Sequence, residues 1–527
     1  MITKLRPLMG QLIDKIKNLQ SQQKIFLALA AAFALNLSGC GGLAGQLTSA
    51  PPPASVQSLT AADVTSIVQS AAQAADPNTM VIAVVDRSGN VLGVYRKPSA
   101  PTLVTGTFSA QVDANELAVS LARTGAFFSN DQAPLSSRTV RFISGIHFPP
   151  GVANTSNAPL YGIENTNRGC ALATNFLSGQ SVPPARSING AATGLGIATG
   201  KVDVNDSDET AVNPGGVPLF RNGSLVGGIG VAGVTPNVAE FSAYVAATSN
   251  GFGPTPAPPG VVFINGVALP FVNQTTRPSG VGAGTFTGSF VAGPSASPGT
   301  PPEGMLVAPA AGPLGGLAAS DVTQIIDNAI ATANTTRAVI RLPIGSSARM
   351  AIAVADLDGT IIGLYRMADS TVFSIDVAAS KARNMVYFNS AGRQPNDLTG
   401  VPFGTAVTNR TIGFGAQPFF PPGINGSSPG PFFNLYVQDV ANPCMQGFQV
   451  AAPNQSGIVF FPGSVPLYRN GVLVGGLGVS GDGVDQDDFV TSGASAGFEA
   501  PTSIRADQIV EQGVRFPYLK FPSNPTN

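Results

Sequence analysis

Apolar residues recur at helical spacing from Asp63 to Ala75, where Val64, Ile67, Val68 and Ala71 share one face, and the pattern returns from Asp321 to Ala333. Thr60 stands where an N-cap side chain is needed, so the first of these segments starts as a capped amphipathic helix. A β-hairpin is predicted next: Met80 to Val85, a turn at Arg87-Ser88-Gly89-Asn90, and Val91 to Arg96. Its counterpart runs through Met350 to Ala355, the turn Leu357 to Gly359, and Thr360 to Arg366, and both hairpins close in Tyr-Arg. Helical periodicity resumes at Ala114 to Phe128 and Ile375 to Phe388, with small residues (Ala118, Ala122, Gly125; Ala378, Ala382) that let a helix approach a sheet closely. Second hairpins are predicted over Val217 to Val231 and Val465 to Val479, because Asn222-Gly223 and Asn470-Gly471 suit a two-residue turn. A terminal helix follows, Val238 to Ser249 and Asp487 to Ala496.

The order α-β-β-α-insert-β-β-α thus occurs twice. Val217-Pro218-Leu219-Phe220-Arg221-Asn222-Gly223 returns as Val465-Pro466-Leu467-Tyr468-Arg469-Asn470-Gly471, and Leu59 to Thr65 returns as Leu317 to Thr323. A period above 200 residues exceeds the ~20–50 of solenoid repeats, so each copy is expected to be an α+β domain, an antiparallel sheet covered by helices. Domain one is assigned to 55–272 with a long irregular insert at 129–213, and domain two to 317–521 with an insert at 389–461. The inserts are themselves duplicated. Arg138-Thr139 and His147-Phe148-Pro149-Pro150-Gly151 correspond to Arg410-Thr411 and Phe419-Phe420-Pro421-Pro422-Gly423, which argues that they are ordered. Residues 273–316, rich in Gly, Pro, Ser and Ala, read as a linker.

Composition narrows the function classes. Among 527 residues, 11% are charged and the formal net charge is -1, so no basic field exists to displace counterions and nucleic-acid binding is not expected. His147 is the only histidine, which excludes His-rich metal sites and any histidine-dependent triad away from that position. No nucleophile elbow, phosphate loop or CxxCH is present, so binding or interaction is favoured over catalysis.

Residues 1–40 read as an address. Lys4, Arg6, Lys15, Lys17 and Lys24 precede the apolar run Ile25 to Leu37, which ends in Leu37-Ser38-Gly39-Cys40. This resembles the lipobox of bacterial lipoproteins. The resemblance implies a lipidated Cys40, a tether over 41–54, and a protein anchored in the cell envelope. The outer membrane is the expected location, facing the periplasm or the exterior. In an oxidising compartment Cys170 and Cys444, which occupy corresponding places in the two inserts, are expected to form a disulfide across a pseudo-two-fold axis.

A family resemblance rests on the motifs of copy two: Ile352-Ala353-Val354-Ala355-Asp356, Gly359, Arg366, Ser374, Ala378, Lys381-Ala382, Gly463, Pro466-Leu467, Gly471, Gly475, Leu477-Gly478-Val479-Ser480-Gly481 and Gln486-Asp487-Asp488. These resemble the GlcG/HbpS-like haem-binding (haem-degrading) domain, which implies a profilin-like unit in each half. Copy one keeps Ile82 to Asp86, Gly89, Arg96, Pro218-Leu219 and Ile229-Gly230-Val231. It has Leu121 in place of the lysine and only Glu240 of the acidic run. The resemblance implies haem or an iron ion as ligand, bound as a small molecule between paired domains.

The candidate residues carry alternatives. His147 is a candidate axial haem ligand or simply a loop residue. Arg96, Arg366, Arg221 and Arg469 recur in both copies and, with Lys381, could meet haem propionates, or they are strand-end charges. Asp86 and Asp356 either cap a hairpin turn or, as the resemblance implies for acids, hold iron. Asp485, Asp487 and Asp488 either ligate a hard cation or favour a helix N-terminus. The competing function is a structural or interaction lipoprotein, with haem binding lost and an envelope protein as partner.

Overall fold

A computed structural model describes residues 58–165, 196–200, 212–254, 262–442, 444–450, 452 and 454–520. The signal segment, the tether, Cys40 and Cys170 lie outside them. Among the described residues no helix is long and apolar enough to cross a membrane. The helices used below are α1 (Ala61–Ala74), α2 (Ala114–Phe128), α3 (Ser137–Phe142), α4 (Pro236–Ser249), α5 (Ala319–Thr335), α6 (Phe373–Asn389), α7 (Asn409–Gly415), α8 (Phe433–Ala441) and α9 (Val484–Ala494). The sheet strands are β1 (Val81–Asp86), β2 (Val91–Arg96), β3 (Gly216–Arg221), β4 (Ser224–Ala232), β5 (Ser289–Ala292), β6 (Gly304–Val307), β7 (Met350–Ala355), β8 (Ile361–Arg366), β9 (Ser464–Arg469) and β10 (Val472–Gly481).

Two five-stranded antiparallel sheets result, in the order β3-β4-β1-β2-β5 and β9-β10-β7-β8-β6. Four positions correspond, the fifth edge being filled by a strand that follows the rest of its sheet in the chain (β5) or precedes it (β6), and β1 and β7 are buried along their whole length. One expectation fails here. The stretch 273–316 is more than a connector, since β5 joins the edge of one sheet and β6 the edge of the other. Its composition hides the strands because edge strands of four residues carry too few apolar positions to show a period.

Alternation along the central strands separates the layers. Ile82 and Val84 pack with α1 and α4, whereas Val81, Ala83 and Val85 face α2. In the second half Ile352 and Val354 pack with α5 and α9, and Ala351, Ala353 and Ala355 face α6. The two inner layers form one continuous buried cluster, within which Phe128 of α2 stacks on Phe373 of α6, ring centroids 4.2 Å apart. The close approach of helix and sheet depends on glycine. A side-chain carbon at Gly230 would collide with the Ala118 carbonyl, and one at Gly478 with the Ala378 carbonyl.

Polar contacts repeat the same symmetry. Thr60 and Asp63 form a capping box on α1, and Asp63 also pairs with Arg221 at 2.7 Å; Asp321 at the start of α5 pairs with Arg469 at 2.7 Å. Thr139 and Thr411, at the starts of α3 and α7, donate to the Pro270 and Pro517 carbonyls at 2.6 and 2.7 Å. Ser136 and Thr408 likewise hold the Phe271 and Tyr518 carbonyls. The described parts of the inserts are therefore tied to the tail of their own half.

The halves are also joined by charge. Arg87 reaches Asp369 at 2.5 Å and Asp131 at 3.3 Å, and Arg341 bridges Asp369 (2.5 Å) and Asp482 (2.7 Å). Burial and the neighbouring Asp369 raise Asp131, with Arg87 opposing, while Arg87 and Arg341 outweigh burial and hold Asp369 below the usual carboxylate range.

Candidate ligand site

The long β10 runs straight into Gly483 and α9, and α6 packs across β10, so the start of α9 and the middle of α6 face each other. Lys381 and Asp487 meet there. Lys381 Nζ donates to the Asp487 carboxylate at 3.0 Å and to the Val479 carbonyl at 2.7 Å, and lies 4.9 Å from the centroid of Phe461. Both residues are buried, and Asp487 Oδ1 has no hydrogen-bond partner. Burial pushes the Asp487 carboxyl up to about 7 against the pull of Lys381, and holds the Lys381 ammonium below its ordinary range.

Asp487 opens onto a cavity of about 400 Å³. Its walls come from both halves: Ile143, Leu160 and Phe263 from the first, and Ile340, Leu342, Phe373 and the α9 start Gly483 to Asp487 from the second. Gly483, the N-cap, offers no side chain to the helix start. Arg337 and Lys520 stand in the wall, and the apolar side chains of Phe263 and Ile344 are 42% and 71% exposed. A greasy rim, a polar floor and two cations besides Arg341, which Asp369 and Asp482 hold, suit a small molecule with an apolar body and acidic groups.

The other acids of the predicted cluster are spent. Asp488 is held by Arg410 at 2.5 Å and by the Gly463 and Lys520 backbone N–H groups at 2.9 Å; Asp485 pairs with the same Arg410 at 2.5 Å and with Lys520 at 3.3 Å. Asp86 accepts from Asn90 N, Asn90 Nδ2 and Ser297 Oγ at 2.9 to 3.0 Å, and burial raises its carboxyl. Asp356 accepts from Leu314 N and Gly315 N at 3.0 and 2.8 Å. Both are turn carboxylates, remote from the acids of α9 in the fold. Among the described residues no group of three or more His, Cys, Asp or Glu is placed to hold a metal ion.

The recurring arginines are internal ties. Arg96 donates to Asn115 and to the Ala100 and Pro101 carbonyls, and Arg366, fully buried, donates to the Ser370 and Pro302 carbonyls. Arg221 and Arg469 pin the acidic starts of α1 and α5 while lying over Phe252 and Phe498. None of the four lines the cavity. His147 is absent from its wall too. Nδ1 lies 3.2 Å from the Thr155 carbonyl, Nε2 lies 3.2 Å from Asn425 Nδ2, and the ring stacks on Phe419, its sequence counterpart, at 6.2 Å. Of the candidates named from the sequence, Asp485 and Asp487 line the cavity and Lys381 pairs with Asp487 behind it, whereas Arg337 and Ile344, in aperiodic loops, and Phe263, in a two-residue strand, carried no signal and are brought together only by packing of the halves.

The first half has a matching hollow of about 710 Å³ beside the start of α4. Leu121 and Ala239 line it at the positions of Lys381 and Asp487, since Gly215 abuts Ala239 as Gly463 abuts Asp487. Arg138 pairs with Glu240 at 2.6 Å as Arg410 does with Asp488. The fold therefore persists without the buried Lys–Asp pair.

Residues 317–495 match the family model for the haem degrading protein HbpS-like. The segment covers α5, α6, α9 and both residues of the Lys381–Asp487 pair. A solved PduOC:heme complex is 23% identical, covering 35% of this chain and 95% of that one with a TM-score of 0.22. Protein ORFY of Klebsiella pneumoniae is 20% identical, covering 34% and 90%, also with a TM-score of 0.22. No curated protein matches the chain.

Tested against haem, the wall fits in part. Its apolar side chains and the cations Arg337 and Lys520 suit the macrocycle and its carboxylates, but among the described lining residues there is no histidine, cysteine, methionine or tyrosine to ligate iron.

Proposed function

We propose that the protein is a lipid-anchored envelope protein that binds haem or a related small ligand through two tandem HbpS-like halves, with the site in the second. The observation carrying this reading is the cavity at the start of α9, lined in large part by the segment that matches the haem-degrading family, with Asp487, the partner of Lys381, in its wall. The equivalent order of the two sheets supports the tandem assignment, with halves at 55–272 and 317–521. Titration of the purified chain with hemin should give a saturable Soret change with about one site per chain, because no cation lines the described wall of the first half's hollow. A linear, non-saturating response would overturn the reading.

Anchoring at Cys40 is proposed from the lipobox and has its own check. Cells fed radiolabelled palmitate should label the native protein and not the Cys40→Ser variant, which should leave the membrane fraction. Cys444 is disulfide-bonded, and Cys170 is its proposed partner. Peptide mapping without reductant should recover the two in one cross-linked species; recovery of an alkylated Cys170 would end that assignment.

A further inference from the structure

A buried carboxylate normally has both oxygens engaged, because leaving one desolvated and unpartnered is costly. Asp487 lines the cavity, is 2% exposed, gives one oxygen to Lys381, and leaves the other without a partner. The first half is a natural control. Leu121 and Ala239 occupy the same positions there under the same sheet order, so the module folds without these charges. Buried ion pairs are often replaceable by apolar residues at no loss of stability. Retention of the pair in the second half therefore points to a ligand, and a carboxylate oxygen of this kind asks for a hydrogen-bond donor.

The rest of the wall specifies what carries that donor. Ile143, Leu160, Ile340, Leu342 and Phe373 offer an apolar slot, Arg337 and Lys520 offer cations for acidic substituents, and no described lining residue is a histidine, cysteine, methionine or tyrosine, the usual axial ligands of haem iron. Resting on the haem-class reading above, we infer that the site recognises a metal-free tetrapyrrole, whose pyrrole N–H groups donate to Asp487 Oδ1 and whose carboxylates face Arg337 and Lys520. In haem the four ring nitrogens are bound to iron and have no N–H to give, so the same carboxylate that favours the metal-free compound gains nothing from the iron complex. A closed macrocycle and an open-chain tetrapyrrole share this chemistry.

The test uses the full chain with three probes, protoporphyrin IX, biliverdin and hemin, against the native protein and Asp487→Asn. Protoporphyrin or biliverdin is expected to bind at least as tightly as hemin, and the substitution is expected to weaken the metal-free probe by roughly tenfold or more, as for loss of a hydrogen bond to a charged group, while leaving hemin nearly unchanged. Which metal-free probe binds tighter assigns the closed or open form. If Asp487→Asn does not fold, Lys381→Leu/Asp487→Ala, which copies the first half, replaces it with the same expectation. Folded variants that bind protoporphyrin and biliverdin as well as the native protein overturn the inference. So does hemin binding more than tenfold tighter than both, with the spectrum of a side-chain-ligated iron. Failure of all three probes to bind sinks the haem-class reading itself, an outcome distinct from an unaltered variant.

Discussion

Phe128→Ala is expected to lower the free energy of unfolding by about 3–5 kcal/mol, the range for truncating a buried phenylalanine. The ring is fully buried on α2 and stacks at 14° on Phe373 of α6, so the lost contact lies in the cluster common to both halves. Paired with Phe373→Ala in a double-mutant cycle, it should show a coupling of about 0.5–1.5 kcal/mol, the value of an aromatic pair beyond its area. Denaturant midpoints with m-values measure both. Zero coupling would mean that the halves are not held through this stack.

Lys381→Leu alone should cost about 3–5 kcal/mol, because it leaves Asp487 buried opposite an apolar side chain. Adding Asp487→Ala should restore most of that loss, as the Leu121 and Ala239 positions of the first half already illustrate. The pH dependence has a definite sign. Asp487 titrates near 7 in the fold against about 3.9 in an unfolded chain, so between those values the folded state holds the extra proton. Its contribution to stability is complete below pH ~4 and is lost as pH rises through about 7. The double variant should therefore gain on the native protein as pH rises from about 4 to about 7. Midpoints measured at pH 4, 5.5 and 7 check this; a double variant that holds level with or loses ground to the native protein as pH rises would refute the assignment of the titration to Asp487.

Much of the architecture was legible because local chemistry and tertiary placement agree. Helix α2 spans the residues its periodicity predicted, and α1 begins at the capping Thr60. The hairpin turns hold Asn222 and Asn470 at positive φ followed by glycine, as the Asn-Gly pairs required. The ends Gly266 to Phe271 and Gly513 to Tyr518 also match in sequence, and a corresponding pair of hydroxyls in each half grips them. The site was less legible. Charge type alone could not separate Asp487, which lines a cavity and keeps one oxygen unpartnered, from Asp488, engaged by Arg410, although they are adjacent in sequence. Helical geometry turns neighbouring side chains about 100° apart, and only the packed surroundings decide which direction opens on a ligand.

What the sequence determined by itself was the α+β class with antiparallel sheets, the order of strands and helices along the chain, and the positions where the first half carries no charge. Those are local properties, set by periodicity, turn residues and the identity of one side chain at a time. Tertiary structure alone decided that α2 and α6 share one core, that β5 and β6 come from an apparent linker, and that Phe263 and Ile344 meet at one rim. Each of those depends on contacts between segments far apart in the chain, where the free energy of burying apolar surface overrides what any short window prefers.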